Sequence, residues 1–246
     1  MMQVQFIGCG DAFGSGGRFN TCLHLRAATA NVLIDCGASS LPALKRAGVD
    51  RNAVEAIVIT HFHGDHFAGV PFFMLDAHFV SGRERPLTIA GPVGLEGWYM
   101  RVFEATFPGG AGNRWRFPLT FHEVAPERTD ACGSLRITPF HVIHDDRAGP
   151  CLAYRIEVEG RVIAYSGDTS WTEALVSVGR DADLFICECY VRDKPVRAHL
   201  SLGELERELP RIGAKRVILT HMSDDMLGQI GRVGYETAAD GMTIEL

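Results

Sequence analysis

Residues 60–66 read THFHGDH and bring His61, His63, Asp65 and His66 into six consecutive positions. Imidazole and carboxylate are side chains that divalent ions such as zinc take readily. The stretch follows AIVIT (56–60), a continuous apolar run that reads as a buried strand. At the end of an extended strand, His61 and His63, two apart, face the same side. Gly64 permits a tight turn, so Asp65 and His66 can approach from another direction. One ion rarely takes four ligands from so short a loop. Two adjacent ions can share them, provided each finds partners elsewhere in the chain. Metal coordination lowers the pKa of water toward about 7, so a hydroxide held between two ions is a nucleophile at neutral pH. Such ions also stabilise charge on a phosphoryl oxygen.

Candidate partners follow in order. SGDTS (166–170) exposes Asp168 after a strand, where one carboxylate could bridge two ions. LTHMS (219–223) puts His221 at the end of a buried strand, as His61 is. HVIH (141–144) offers His141 and His144. LIDCG (33–37) ends a strand on Asp35, which could orient a ligand from behind. His24, His78 and His122 read as packing or surface residues.

The elements that must carry these residues alternate along the chain. VQFIG (4–8), CLHLR (22–26) and NVLID (31–35) read as strands, and SSLPALKRAG (39–48) as a helix capped by serine and stopped by Gly48. VPFFMLDAHF (70–79) reads as a core helix, PLTIA (86–90) as a strand, and a further helix runs to about residue 107. LRITPF, CLAYRIEV, RVIAYSG, LFICE and RVILT are later strands, with Glu159 and Gly160 closing a hairpin. SLGE (201–204) is a capping box whose helix aligns Leu202, Leu205, Leu209 and Ile212. AIVITH and RVILTH suggest two similar halves. The pattern predicts one α/β domain over residues 1–246: two sheets face to face with helices outside, a four-layer αββα sandwich.

With 46% hydrophobic and 22% charged residues, the composition is that of a globular protein. The net charge of −6 and the lack of any basic block argue against a large nucleic-acid or anionic-membrane surface. No CxxC occurs among the seven cysteines, which are expected to be reduced and buried. MMQVQFIGCGD reads as a first strand, not a signal peptide, and no apolar run is long enough to span a membrane. A cytoplasmic location is the expectation.

Taken in order, LIDCG, THFHGDH, a later His, SGDT and LTH resemble the metallo-β-lactamase superfamily. More narrowly, GCGDAFGSGGRFNT (8–21) and DCGASSLPALKRAGVDRNAVEAIVITHFHGDHFAGVPFF (35–73) are similar to its ribonuclease Z and phosphodiesterase branch over nearly the whole chain. The resemblance implies a metal-dependent hydrolase with two divalent ions, Zn2+ or Mn2+. It gives His61, His63 and His144 to one ion, with His144 taken over His141 on spacing. It gives Asp65, His66 and His221 to the other, with Asp168 bridging and Asp35 behind the ligands. It also implies catalytic roles for Asp65, for Glu188 in CEC and for His199 in AHLS, the histidine standing near the scissile phosphate. The branch has histidine before that glutamate, whereas this chain has Cys187. Redox relatives carry a carboxylate where His63 stands, so hydrolysis is expected rather than oxygen reduction.

The leading expectation is a phosphodiesterase acting on small phosphodiesters through a metal-bound hydroxide. The alternatives are the same site acting on a lactone, thioester or sulfate ester, or a ribonuclease Z-like tRNA 3′ endonuclease. A non-catalytic binding module is disfavoured because no ligand is missing. The implied partner is a small anionic ester; a large duplex or tRNA is not expected, and a homodimer is left open. Ribonuclease Z enzymes carry a protruding arm between the third-motif histidine and GDT. Here CLAYRIEVEGRVIAYSGDT leaves no room for one.

Overall fold

The computed structural model describes residues 2–246. The strands are β1 (Gln3–Gly8), β2 (Cys22–Arg26), β3 (Asn31–Ile34), β4 (Ala56–Val58), β5 (Leu87–Gly91), β6 (Leu119–Glu123), β7 (Asp130–Cys132), β8 (Leu135–His141), β9 (Leu152–Val158), β10 (Arg161–Tyr165), β11 (Leu184–Glu188), β12 (Val217–Thr220), β13 (Glu236–Thr237) and β14 (Thr243–Glu245). The helices are α1 (Ser40–Arg46), α2 (Gly64–Phe67), α3 (Val70–Leu75), α4 (Leu95–Thr106), α5 (Ala174–Gly179), α6 (Leu202–Ile212) and α7 (Asp224–Leu227).

Strand alternation builds four layers. In β3, Val32 and Ile34 point one way and Leu33 the other, yet all three are buried. A strand buried on both faces has to be apolar throughout, which is why the central strands read as unbroken hydrophobic runs. The first sheet runs β14-β1-β2-β3-β4-β5-β6, and the second β13-β12-β11-β10-β9-β8-β7. Between them Val4, Phe6, Ile34 and Val58 meet Ile137, Tyr154, Ile163 and Ile186. Outside the first sheet, Leu33, Ile57 and Ile89 pack under Leu44, Phe73 and Phe103. Outside the second, Ala164, Phe185 and Leu219 pack under Leu175, Leu205 and Leu209. The expected αββα sandwich is therefore present. All seven cysteines are buried and unpaired. No helix among the described residues is long and apolar enough to cross a membrane.

Local differences have physical causes. β4 ends at Val58, two residues before the expected end, because Thr60 turns to the other sheet and its carbonyl accepts from Leu152 N at 3.0 Å. Ser39 precedes α1 but does not cap it; its hydroxyl is engaged with Asn20, accepting from the backbone N at 2.7 Å. The helix expected over 70–79 becomes a wider turn from Asp76, whose carboxylate pairs with Lys45 at 2.6 Å and Arg51 at 2.7 Å. The capping box at Ser201 and Glu204 forms as expected.

Candidate metal centre

The functional side chains sit just beyond the C-terminal ends of strands from both sheets. Asp35 follows β3, His61 follows β4, Asp168 follows β10, Glu188 ends β11 and His221 follows β12. Asp65 and His66 lie on α2, one turn after the His61 strand end. Two glycines make this convergence possible. A Cβ on Gly37 would lie 2.1 Å from the Asp65 carbonyl oxygen, so only glycine lets the β3 end meet α2. Gly167 has φ +57°, and a Cβ there would approach the Leu152 carbonyl oxygen to 2.8 Å, so the turn into Asp168 also requires glycine.

Two donor groups result. In the first, His61 Nε2 and His144 Nε2 lie 3.2 and 3.0 Å from His63 Nδ1. In the second, His221 Nε2 lies 3.1 Å from Asp65 Oδ2 and 3.4 Å from His66 Nε2. Asp168 Oδ2 is 3.3 Å from both His66 and His221, and 3.8 and 4.0 Å from His144 and His61 on the other side. Asp168 thus stands between the groups, and its buried Oδ1 has no hydrogen-bond partner.

These residues fit divalent ions. Zinc–nitrogen bonds of about 2.0–2.1 Å make the edge of a tetrahedral ligand set about 3.3–3.4 Å. The outer ring nitrogens give a stronger test. Asp35 Oδ2 accepts from His66 Nδ1 at 2.7 Å, and the Ala198 carbonyl accepts from His144 Nδ1 at 2.9 Å. The Thr60 hydroxyl lies 3.0 Å from His61 Nδ1, and Asp145 Oδ2 lies 3.5 Å from His63 Nε2. The oxygens behind His61, His66 and His144 fix the proton on the outer nitrogen and turn a lone pair inward, while Asp145 stands farther off behind His63. Asp35 also accepts from Thr60 N at 2.8 Å and from the Thr60 hydroxyl, so one buried carboxylate aligns both His61 and His66.

Without a cation, protons must balance this charge. Burial disfavours charge on His221, but Asp168 and the bond His221 donates to Asp65 hold its pKa up at about 9. Burial also opposes charge on His66, yet Asp168, Asp65 and Asp35 raise it well above the usual range. Burial pushes His61 well below that range, with His66 adding to the effect.

Glu188 and His199 form a pair beside this centre. Glu188 is buried and accepts from Thr169 N, and its Oε2 accepts from His199 Nδ1 at 3.1 Å. That bond leaves His199 Nε2 as the other ring donor. Burial opposes the imidazolium, but the Glu188 charge prevails and raises the His199 pKa. Tyr190 stacks on His199 with centroids 4.5 Å apart. A pocket of about 170 Å³ opens over the centre, lined by Phe13, His63, Asp65, Tyr190, His199 and His221 among others. A larger cavity of about 410 Å³ lies under Phe19, Arg46 and Asp240, away from these donors; chemistry rather than size identifies the candidate site.

The structure brings together His61, His63, Asp65, His66, His144, Asp168 and His221, with Asp35 behind them and Glu188 and His199 alongside. His141 does not join; it lines a separate groove with Val93 and Pro126. Sequence reasoning passed over Thr60, Asp145, Tyr190 and the Ala198 carbonyl. Only Thr60 had a signal, standing directly before His61 as Thr220 stands before His221.

Residues 2–240 match the family model described as anti-Pycsar protein Apyc1. Ribonuclease Z of Geobacillus kaustophilus (strain HTA426) is 26% identical over an alignment covering 93% of this chain and 90% of its own. The crystal structure of human tRNase Z, short form, superposes with a TM-score of 0.79 at 26% identity, covering 99% of this chain and 98% of that one. The metallo-β-lactamase fold protein YhfI of Bacillus subtilis superposes with a TM-score of 0.80 at 21% identity, covering 99% and 98%. The αββα sandwich is thus of the metallo-β-lactamase type.

Proposed function

The chain belongs to the family of the anti-Pycsar protein Apyc1, and from that premise we propose that it hydrolyses small phosphodiesters with two divalent ions. It is a metal-dependent hydrolase of the ribonuclease Z and phosphodiesterase-like branch of the metallo-β-lactamase superfamily. In the proposal His61, His63 and His144 hold one ion, and Asp65, His66 and His221 the other. Asp168, standing between the two groups, would serve both, and the ions would be Zn2+ or Mn2+. Bound there, they would supply Lewis acidity, lowering the pKa of water and offsetting charge on the phosphoryl group.

The observation that carries the phosphodiester reading is the Glu188–His199 pair. Glu188 takes the Nδ1 proton of His199, so Nε2 is the nitrogen left to serve the substrate. The Glu188 charge favours the protonated ring, whose Nε2 can bond a phosphoryl oxygen or protonate a departing alkoxide. A thioester needs such a donor less, because a thiolate is a far less basic leaving group than an alkoxide. Asp65, which lines the pocket, would orient the attacking water as well as ligate.

A tRNA 3′ endonuclease is the second reading, favoured by the similarity to two ribonuclease Z proteins. Against it, β9 and β10 join directly through Glu159 and Gly160. The Geobacillus alignment also runs over 283 positions, more than the 246 residues present here, so that ribonuclease contains stretches this chain lacks. The test is a panel on metal-replete protein: bis(4-nitrophenyl) phosphate, cyclic nucleotides, precursor tRNA, lactones and thioesters. Turnover of small phosphodiesters with little tRNA cleavage is expected. Efficient, site-specific cleavage at the tRNA 3′ end would overturn the substrate reading in favour of the ribonuclease.

A further inference from the structure

Phe13 lines the pocket over the metal centre, yet its side chain stands 82% exposed. Single apolar residues on a surface usually need no explanation. This one differs because the turn beneath it is fixed in place. The buried carboxylate of Asp11 accepts from Phe13 N at 3.1 Å, from Ser15 N at 3.0 Å and from the Ser15 hydroxyl at 2.7 Å. Asn20 Nδ2 donates to the Asp11 carbonyl at 2.9 Å, and Gly16 N donates to Asp224 Oδ1 at 3.0 Å. Gly14, with φ +68°, turns the chain immediately after the ring. The backbone therefore cannot fold Phe13 back to the core.

Pocket size bears on what the ring is for. Sites that enclose a drug-sized molecule run to roughly 300–1,000 Å³, whereas this pocket holds about 170 Å³. It can take the reacting phosphoryl group, but a bulky substituent on that group must lie at the rim. Besides the histidines, two aromatic side chains line the pocket, Phe13 and Tyr190. Tyr190 has one face committed to His199. Phe13 is the aromatic left open to solvent.

We infer that Phe13 is a specificity-determining residue: its ring is the platform on which a planar aromatic substituent of the phosphodiester stacks while the phosphoryl group faces the metal ligands. The inference rests on the phosphodiester reading above and adds a preference for flat, π-bearing substituents over saturated ones of equal size. Stacking on an aromatic side chain is sequence-tolerant, because every aromatic ring offers a π-face.

The test uses the metal-loaded full chain and two competitive ligands that need no turnover, phenylphosphonate and cyclohexylphosphonate. They share the anionic group and differ in ring flatness. Wild-type protein should bind the phenyl compound about tenfold more tightly, within the roughly 5- to 150-fold range of a stacked ring. Phe13→Ala and Phe13→Leu should bring the two inhibition constants within about twofold of each other, and Phe13→Trp should keep the preference. With bis(4-nitrophenyl) phosphate, the Phe13→Ala loss should fall in KM, by about tenfold, rather than in kcat. Metal content and melting temperature should match wild type, since the side chain is exposed. Equal weakening of both phosphonates, or a preference that survives Phe13→Ala, would overturn the platform while leaving the phosphodiester reading intact. A wild-type enzyme that does not turn over the phosphodiester overturns that reading, and this inference with it.

Discussion

Asp35→Asn is an isosteric change at a carboxylate that never faces the pocket, so its effect tests how the metal ligands are held. Asp35 Oδ1 accepts from Thr60 N and Oδ2 from His66 Nδ1, at 2.8 and 2.7 Å. Asparagine offers one oxygen and one NH2. If the oxygen stays with Thr60, the amide NH2 faces His66 Nδ1. Either two donors collide, or the ring shifts its proton to Nε2. Nε2 is the atom that faces Asp65, Asp168 and His221, and a protonated nitrogen cannot ligate. The opposite amide orientation moves the same conflict to Thr60 N. A buried group left unsatisfied costs about 1–3 kcal/mol, and about 1.4 kcal/mol is tenfold in affinity. The ion proposed for Asp65, His66 and His221 should therefore bind roughly 5- to 150-fold more weakly, in line with the effect of removing a partner behind a metal ligand. The first ion should be largely spared, because the Thr60 hydroxyl can still donate to the retained oxygen at 3.0 Å and support His61.

Chelator competition followed by elemental analysis reads this directly. The expected result is retention of about one ion per chain at a chelator level where wild type keeps two. Nitrogen-15 NMR of the imidazoles should show the His66 proton moved from Nδ1 to Nε2. Asp35→Ala is the contrast. It abandons Thr60 N, the Thr60 hydroxyl and His66 together, and should destabilise the fold by about 3 kcal/mol or more. If Asp35→Asn binds both ions within threefold of wild type, the account of ligand orientation is wrong.

Other residues make separate predictions. Asp168→Ala should lower metal content at both positions, whereas His221→Ala should spare the ion at His61, His63 and His144; stoichiometry after reconstitution distinguishes the two. His199→Ala should keep metals and fold but reduce turnover of unactivated phosphodiesters by about 10²–10⁴-fold, with a smaller loss on 4-nitrophenyl esters; equal loss on both would remove His199 as proton donor. Asp183 accepts from Lys215 at 2.8 Å and from Val162 N at 2.8 Å, and these bonds lower its pKa from 3.8 to about 2. A depressed carboxyl stabilises the fold above its unfolded value and loses that effect as pH falls through the folded one. Asp183→Asn should therefore cost about 1 kcal/mol near neutrality, with solvent screening at Lys215 and Arg161 limiting the loss. In urea titrations the gap between the two proteins should narrow below pH 3.8 and close by about 2.

What the sequence revealed follows from burial. The central strands were legible because both faces are covered and their residues are apolar throughout. The unread strands, β6, β7, β13 and β14, are the outer strands of the two sheets. β6 reads LTFHE and is only half-buried, so neither alternation nor a continuous apolar run marks it. β13 and β14 are two and three residues long. The donors were legible for a related reason: His61, Asp168 and His221 each follow a buried strand, so residue type and position agree. The choice between His141 and His144 was not open to residue-level reasoning, because His141 ends β8, His144 follows three positions later, and only the direction of the chain between them decides which reaches the centre. The Ala198 carbonyl was beyond reach, since any residue would supply one.

Backbone conformation at the site explains why so much of it depends on the whole fold. Asp35, Ala198 and His221 have φ of 59°, 66° and 55°, in the left-handed region that non-glycine residues seldom occupy. Such residues persist only where surrounding structure over-determines them. Asp35 N is held by the Val58 carbonyl at 2.8 Å, and His221 N by the Cys9 carbonyl at 3.1 Å. The second bond crosses between sheets: Cys9 directly follows β1 in the first, and His221 follows β12 in the second. Cys9 is itself tied by Asp240, which accepts from its N at 3.0 Å, and so draws in the stretch between β13 and β14. A ligand that looks local in THM therefore takes its direction from residues more than two hundred positions away. The second donor group is completed only when both sheets have closed on one another.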